Sequence, residues 1–410
     1  MHIRYISLTN FRNYTRLELT LPQSPLLLYG ANAQGKTNLL EAVYLLSSGS
    51  STLTSVERQL IRWGAEEEGL PYARVWAEVM RGNQIHELEV VLEKRTNGNG
   101  SDRLLKTLRV DRKRKQRVDF TGRLNVVLFV PQDMELIAGA PAQRRRYIDD
   151  TLSQVDAAYA ASLDNYREAL RQRNAALRYL REGGGNPAQL QPFEDVLATE
   201  GVRIVKGRRQ LMAVLSRRAD RIHQQLTGAA DWLRLAYMPN FDPTAPSELD
   251  HQRSLGLMSR QDLPIEAADD ELVGAFCSTL QAHRAEEIAR GMTVVGPHRD
   301  EFRALSGNPA QGTHEVDLGT YGSRGQQRTA VLALKLAELE WMRAETGESP
   351  VLLLDEVLAE LDADRRAFLL DQVNGVEQAL LTATDVEMFG AAFRQRAALW
   401  KVHAGIVDTE

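Results

Sequence analysis

The sequence predicts an α/β lobe built on a parallel sheet and interrupted by an inserted, mainly helical lobe. Three observations carry this reading. Near the N-terminus an apolar run, Leu26-Leu27-Leu28-Tyr29, meets a glycine-bounded turn that opens a helical pattern. Near the C-terminus a second run, Val351-Leu352-Leu353-Leu354, ends in the paired carboxylates Asp355 and Glu356. Between them lies a long stretch whose apolar residues recur with helical period. Short apolar runs bounded by turn residues are the pattern of strands buried on both faces of a parallel sheet. At 410 residues the chain exceeds the size at which single cores stop growing, so two lobes are expected.

Composition sets the class. With 43% hydrophobic and 26% charged residues the chain reads as globular. Met1-His2-Ile3-Arg4-Tyr5-Ile6 alternates apolar with polar residues and lacks a signal peptide's apolar core. No apolar run approaches the length that spans a bilayer. One cysteine, Cys277, excludes an intramolecular disulfide framework and fits a reducing interior. These features predict a soluble, cytoplasmic protein with no membrane partner.

The first ordered motif is the turn itself, Gly30-Ala31-Asn32-Ala33-Gln34-Gly35-Lys36-Thr37-Asn38. It matches the G-x-x-x-x-G-K-[ST] phosphate loop, with a strand before it and a helix through Leu39, Leu40, Val43 and Tyr44 after it. Gly30 and Gly35 supply dihedrals and close approach that a Cβ forbids. The successive N–H groups and the helix N-terminus form a concavity for anions. Lys36 is expected to reach the β- and γ-phosphates of ATP, and Thr37 to take a Mg²⁺ position.

Around this loop, residues 1 to about 130 read mostly as strands. Leu17-Glu18-Leu19-Thr20-Leu21 alternates with period two, and Tyr72–Val79 and Glu87–Leu92 follow, with a loop over Thr96–Ser101. Asn125–Val130 is a buried strand ending at Pro131-Gln132-Asp133. Tyr159, Leu163, Tyr166, Leu170 and Leu177 then form one helical stripe, which Gly183–Pro187 ends. Phe193, Val196, Val202, Val205, Leu211 and Leu215 run back as a second stripe, giving an arginine-rich helical hairpin. Pro239–Pro246 reads as a loop, Leu272–Arg290 as a helix, and Met292–Asp300 as strand and turn. The predicted organisation is therefore residues 1–135, an inserted helical lobe over 136–290, and 291–410.

Net charge is −5, so no global field draws in nucleic acid, but the basic residues are clustered. They gather at Arg109 and Arg112–Arg117, at Arg144-Arg145-Arg146, at Arg203–Arg209 and at Arg217–Arg221. Single runs are most often solvated faces. Several together make a phosphate-binding surface plausible, with Arg112, Lys113, Arg114 and Lys115 the selected DNA contacts. No base-reading motif is present, so the expected recognition is of DNA shape, a gap or a junction, without sequence specificity.

The C-terminal motifs close the site. The strand over 351–354 delivers Asp355 and Glu356 to the carboxyl edge of the sheet, where nucleotides sit in open α/β folds. Asp355 is expected to hold Mg²⁺ through water, and Glu356 to orient or deprotonate the attacking water. Ser323-Arg324-Gly325-Gln326 precedes a helix with Ala330, Leu334, Ala337 and Trp341 on one face. Ser323 suits its N-cap and Gly325 permits close approach of an anion. Glu360-Leu361-Asp362 follows the carboxylate pair.

This order of motifs resembles the ABC-type ATPases, and within them the RecF family, whose lobes are like SMC heads. The likeness rests on Asn10-Phe11-Arg12-Asn13-Tyr14, Gly30–Asn38, Arg144–Arg146, Gly296-Pro297-His298-Arg299-Asp300, Ser323–Gln327 and Val351–Asp362. It implies a Q-loop role for Gln132 at the metal and the attacking water, and a D-loop role for Asp362. It further implies a weak DNA-dependent ATPase that forms an ATP-dependent homodimer, the Ser323–Gln326 signature of one copy capping nucleotide on the P-loop of the other. Slow hydrolysis, recombinational repair and replication restart, action with RecO and RecR, and recombinase loading at gapped DNA are implied in the same way. Two departures stand out. The signature is Ser-Arg-Gly-Gln, and Thr382-Ala383-Thr384-Asp385 occupies the place of the switch histidine, which puts Thr384 near the γ-phosphate. The competing reading is the nucleotide-binding subunit of an ABC transporter, against which stands the large arginine-rich insertion between Gln132 and the signature.

Overall fold

The computed structural model describes residues 1–51, 53–54, 56–96, 102–241, 269–308 and 315–409. The chain divides into two compact units, one of Met1–Asp133, Ser153–Ala157 and Glu338–Glu410, the other of Met134–Leu152 and Ala158–Ala337.

The first unit holds two six-stranded sheets. One is antiparallel, in the order Tyr14–Thr20, His2–Phe11, Tyr72–Arg81, Gln84–Thr96, Asp102–Val110 and Lys113–Lys115. Tyr72–Arg81 shows the half-buried pattern in full, with Ala73, Val75, Ala77 and Val79 buried and the residues between them partly exposed. Tyr14, Leu17 and Leu19 are the buried positions of the Tyr14–Thr20 strand. The other sheet runs Ile406–Asp408, Ala398–His403, Leu26–Tyr29, Ala379–Ala383, Val351–Asp355, Val126–Phe129, and is parallel apart from its first strand. Its central strands are buried at every position of Val351–Asp355 and Ala379–Ala383. Helix Lys36–Ser48 shares one apolar core with both sheets, which joins Leu39, Val43 and Leu46 to Ile6, Val75, Leu353 and Leu380. The predicted loop over Thr96–Ser101 lies outside the described residues, apart from the backbone of Thr96.

The second unit contains the helical hairpin, as Ala157–Arg181 and Gln191–Thr227. Its stripes are the buried faces with three exceptions. Val196 is exposed, and Phe193 and Leu170 are only half-buried, while Ala169 and Arg173 beside Leu170 are buried. Arginine is not confined to the polar side. Arg173 is fully buried, with Nη2 2.6 Å from Glu287 and 3.0 Å from Glu194. Arg208, also buried, donates to Asp149 Oδ1 at 2.8 Å and to Asp300 Oδ2 at 2.9 Å. Charges removed from water persist only when paired in this way.

Met292–Asp300 departs from the expectation of strand character. It forms a 3-10 turn at Pro297–Arg299, and the strand begins only at Glu301. The reason is local. Gly296 takes φ 129°, Pro297 has no N–H for a ladder, and Asp300 accepts from Arg208, Tyr237 and Asn240 rather than pairing in a sheet. Glu301–Gly307 pairs with Trp232–Met238 on one side and Val316–Asp317 on the other, a three-stranded sheet that periodicity does not indicate. Of the predicted loop over Pro239–Pro246, only 239–241 fall among the described residues.

Candidate functional site

Four parallel strands of the first unit bring the motifs to one sheet edge. Leu26–Tyr29 ends at Gly30, Ala379–Ala383 ends at Thr384, Val351–Asp355 ends at Glu356, and Val126–Phe129 leads to Gln132. Registers Ala383↔Tyr29, Asp355↔Thr382 and Leu354↔Phe129 align their carboxyl ends. Parallel pairing therefore does what adjacency in sequence cannot, placing loops from positions 30, 356 and 384 side by side.

The loop is held by residues on three elements. Gly30 has φ 145°, and a Cβ there would lie 2.3 Å from the Val402 carbonyl oxygen. Gly35 has φ 119°, and its Cβ would meet the Asn13 amide at 2.7 Å and the Tyr14 hydroxyl at 2.9 Å. Both positions accept only glycine. Asn13 Nδ2 donates to the Gln34 carbonyl at 2.9 Å, the Tyr14 hydroxyl donates to the Gly35 carbonyl at 2.9 Å, and Asn38 Nδ2 donates to Asn13 Oδ1 at 2.8 Å. From the other side, the turn between the two C-terminal strands reaches the same residue. Ala404 N–H donates to Gln34 Oε1 at 2.7 Å and Gly405 N–H to the Gln34 carbonyl at 3.0 Å. Ala33, at φ 62°, is kept in the left-handed region within this brace.

Lys36 is almost wholly buried. Its Nζ donates to the carbonyls of Gly30 at 2.8 Å and Ala31 at 2.9 Å and lies 3.3 Å from Glu356 Oε1. Thr37 Oγ1 donates to Asp355 Oδ1 at 2.8 Å. Asp355 is 6% exposed, and this burial pushes its carboxyl above the ordinary range, against the pull of the Thr382 and Thr37 hydroxyls and of Lys36. Glu356 adopts φ 54°, ψ 11°, a left-handed conformation that costs a non-glycine residue about 1–2 kcal/mol. Strain of this kind persists where surrounding contacts over-determine it, commonly at functional sites.

Lys36, Thr37, Asp355 and Glu356 thus meet in one cluster. Ala31, Asn32 and Ala33 line the exposed lip of the loop. Gln132 is exposed on the 3-10 turn Pro131–Met134, three residues past the strand beside Asp355's. Thr384 is exposed one residue past its strand. Asp362 caps helix Ala363–Asn374, its carboxylate accepting the Arg365 N–H at 3.0 Å. Ser323, Arg324, Gly325 and Gln326 belong to the second unit and are all exposed. Ser323 Oγ accepts the Gln326 N–H at 3.2 Å while Gln326 Oε1 accepts the Ser323 N–H at 2.9 Å, a reciprocal cap that fixes the start of helix Arg324–Thr346. Asp111 and Arg112, at φ 50° and 67°, form a hairpin turn that leads into the edge strand Lys113–Lys115, and Arg112 pairs with Glu87 at 2.9 Å. Arg12, from the N-terminal motif, is paired bidentately with Glu41 at 2.7 and 2.8 Å.

Sequence reading missed the roles of Asn13, Tyr14, Gln34 and Thr382 in organising this cluster. Only Thr382 left a usable signal, a hydroxyl inside the apolar strand Leu380-Leu381-Thr382-Ala383.

A family model described as the RecF/RecN/SMC N terminal domain matches residues 2–407. The DNA replication and repair protein RecF of Roseiflexus castenholzii is 38% identical over 99% of both chains. The chain belongs to the RecF family. RecF of Chloroflexus aurantiacus is 39% identical over 99% of both chains, and that of Geobacillus thermodenitrificans 34% identical over the same shares. A solved structure of the recombination mediator protein RecF with ATP, described within the RecFOR pathway, superposes with TM-score 0.81 at 30% identity, covering all of this chain and 97% of its own. The RecF fold, an ABC-type ATPase architecture of mixed helices and sheets, is thus that of this chain. The full-length likeness favours this family over a transporter subunit. Among the described residues no helix is long and apolar enough to cross a membrane.

Proposed function

We propose that this protein binds ATP and Mg²⁺ and uses them to dimerise on DNA, as a slow, DNA-dependent ATPase of recombinational repair and replication restart. The observation that carries the reading is the meeting of Lys36, Thr37, Asp355 and Glu356 at one sheet edge. The residues fit the ligands. Gly30 and Gly35 keep the loop open where a Cβ would fill it, and a buried carboxylate beside a threonine hydroxyl is the oxygen donor set of a hard divalent cation. Bound ATP and its cation supply the phosphoryl group and neutralise the charge that develops on it.

Within that site the loop N–H groups from Ala31 to Asn38 and Lys36 hold the phosphates, and Thr37, Asp355 and Gln132 hold the cation. Glu356 takes the proton of a water that attacks the γ-phosphorus, while the bond to the β-phosphate oxygen breaks and ADP leaves. Thr384 lies toward the γ-phosphate. The capped, exposed Ser323–Gln326 segment and Asp362 act in trans, on nucleotide held by a second copy, which suits their exposure in this chain. Arg112–Lys115 bind phosphates of gapped or junction DNA without reading bases. Cytoplasmic location, action with RecO and RecR and help in loading recombinase belong to the same proposal, which the RecFOR description of the ATP-bound relative supports. The lobe division 1–135, 136–290 and 291–410 belongs to it too.

Sedimentation with ATP, Mg²⁺ and DNA tests it. The Glu356→Gln variant is expected to form a dimer that outlasts the wild type's, and a strictly monomeric variant at saturating ATP overturns the dimer reading.

A further inference from the structure

We propose that Thr382 is a positioning residue for ATP hydrolysis, setting Asp355 and Glu356 through one buried hydroxyl; the proposal rests on the reading of Glu356 as the base. Thr382 is 2% exposed and pairs in register with Asp355 on the neighbouring parallel strand. Its Oγ1 donates to Asp355 Oδ1 at 2.8 Å and accepts the Glu356 N–H at 2.9 Å.

The hydroxyl has one proton, and Asp355 receives it, so its lone pairs are left for the Glu356 N–H. This makes the two contacts mutually dependent. Asp355 already takes the Thr37 proton at 2.8 Å, so two hydroxyls, one from a helix and one from a strand, fix one carboxylate. The Glu356 N–H bond falls on the residue whose backbone is left-handed, and it anchors that conformation. Without it, Glu356 can relax to an ordinary backbone, swinging its carboxylate away from Lys36 Nζ, now 3.3 Å away. Thr382 itself ends against protein atoms on this edge and contributes no proton to the reaction. Its effect reaches the chemistry only through the two acids.

The test compares Thr382→Val, which keeps the shape and removes the hydroxyl, with Thr382→Ser, which keeps the hydroxyl, and with Glu356→Gln. ATP turnover, KM, the Mg²⁺ midpoint and the lifetime of the ATP-bound dimer are measured in each, with melting temperature as the folding control. In Thr382→Val, kcat is expected to fall about 10–100-fold, as loss of a hydrogen-bond partner that orients a metal-holding carboxylate does. KM should stay within about threefold, since the phosphate loop is untouched, and the Mg²⁺ midpoint should rise. Thr382→Ser should recover kcat to within about threefold of wild type. Thr382→Ala, which fits the same space, carries the comparison if the valine variant does not fold. An unchanged kcat in Thr382→Val or Thr382→Ala beside a depressed Glu356→Gln overturns this inference alone, as does a serine variant no better than valine. A wild-type rate in Glu356→Gln overturns the base assignment, and this inference with it.

Discussion

The Thr37 hydroxyl donates to Asp355 Oδ1 at 2.8 Å across 318 positions of sequence. One bond joins the helix that opens after the phosphate loop to the strand that carries the acids. Because Asp355 is buried, the bond loses little to solvent competition and holds the two halves of the site in fixed register. The consequences of this organisation can be measured.

Gly30→Ala should weaken nucleotide binding without unfolding the protein. The added Cβ would lie 2.3 Å from the Val402 carbonyl, at a φ of 145° that alanine avoids. Backbone of the C-terminal strand cannot yield as a flexible side chain would. We expect a loss of about 1–3 kcal/mol in stability and nucleotide affinity reduced at least tenfold, read by thermal melting and titration with a fluorescent ATP analogue.

Charge reversal over Arg112–Lys115 should weaken DNA binding and flatten its salt dependence. For every phosphate the protein no longer neutralises, the slope of log K against log salt falls in magnitude by about 0.9. Arg112 is already paired with Glu87, so the effect should come chiefly from Lys113, Arg114 and Lys115. Binding measured across salt concentrations checks this; an unchanged affinity and slope would remove the hairpin from the interface.

Arg173→Met should destabilise the second unit by about 3–5 kcal/mol. The guanidinium is fully buried between Glu194 and Glu287, and it also donates to Thr293 Oγ1 at 2.8 Å. Removing it strands carboxylates in a dry interior; Arg284 remains only for Glu194. Chemical denaturation gives the value, and a melting curve that matches wild type contradicts it.

Stability should fall as pH drops from about 6.5 toward 4, through His298. Burial, with Arg299, Arg145 and Arg208 nearby, lowers its folded pKa from 6.5 to about 4. The ring sits 2.8 Å from the Tyr166 hydroxyl and 3.1 Å from the Thr293 carbonyl, contacts both satisfied by a neutral ring protonated on Nε2. In this window the unfolded chain binds the extra proton, so the stabilisation is complete above the unfolded pKa and is lost as pH falls through the folded one. The full effect is on the order of 3 kcal/mol. Denaturation at pH 7 and pH 4.5 should show a slope that His298→Gln reduces.

Much of the fold was legible because it is written locally. The glycine spacing of 30 and 35, the apolar runs before Gly30 and Asp355, and the helical stripe from Tyr159 to Leu177 each encode their own element. The strand Asp102–Val110 escaped notice because Lys106 interrupts the apolar face that carries Leu104, Leu108 and Val110. The cluster's own acids and lysine were legible too, since each stands at the end of such an element.

What the sequence determined by itself is therefore a set of elements and the chemistry at their ends. Tertiary structure alone decided how those ends are held. Asn13, Gln34 and Gly405 meet at one loop, Thr382 bridges Asp355 and Glu356, and Arg173 and Arg208 are buried rather than solvated. The reason is physical. A hydroxyl, an amide or a guanidinium has the same local preferences whether it faces water or a partner, and only packing by distant strands and helices removes the water and supplies the partner.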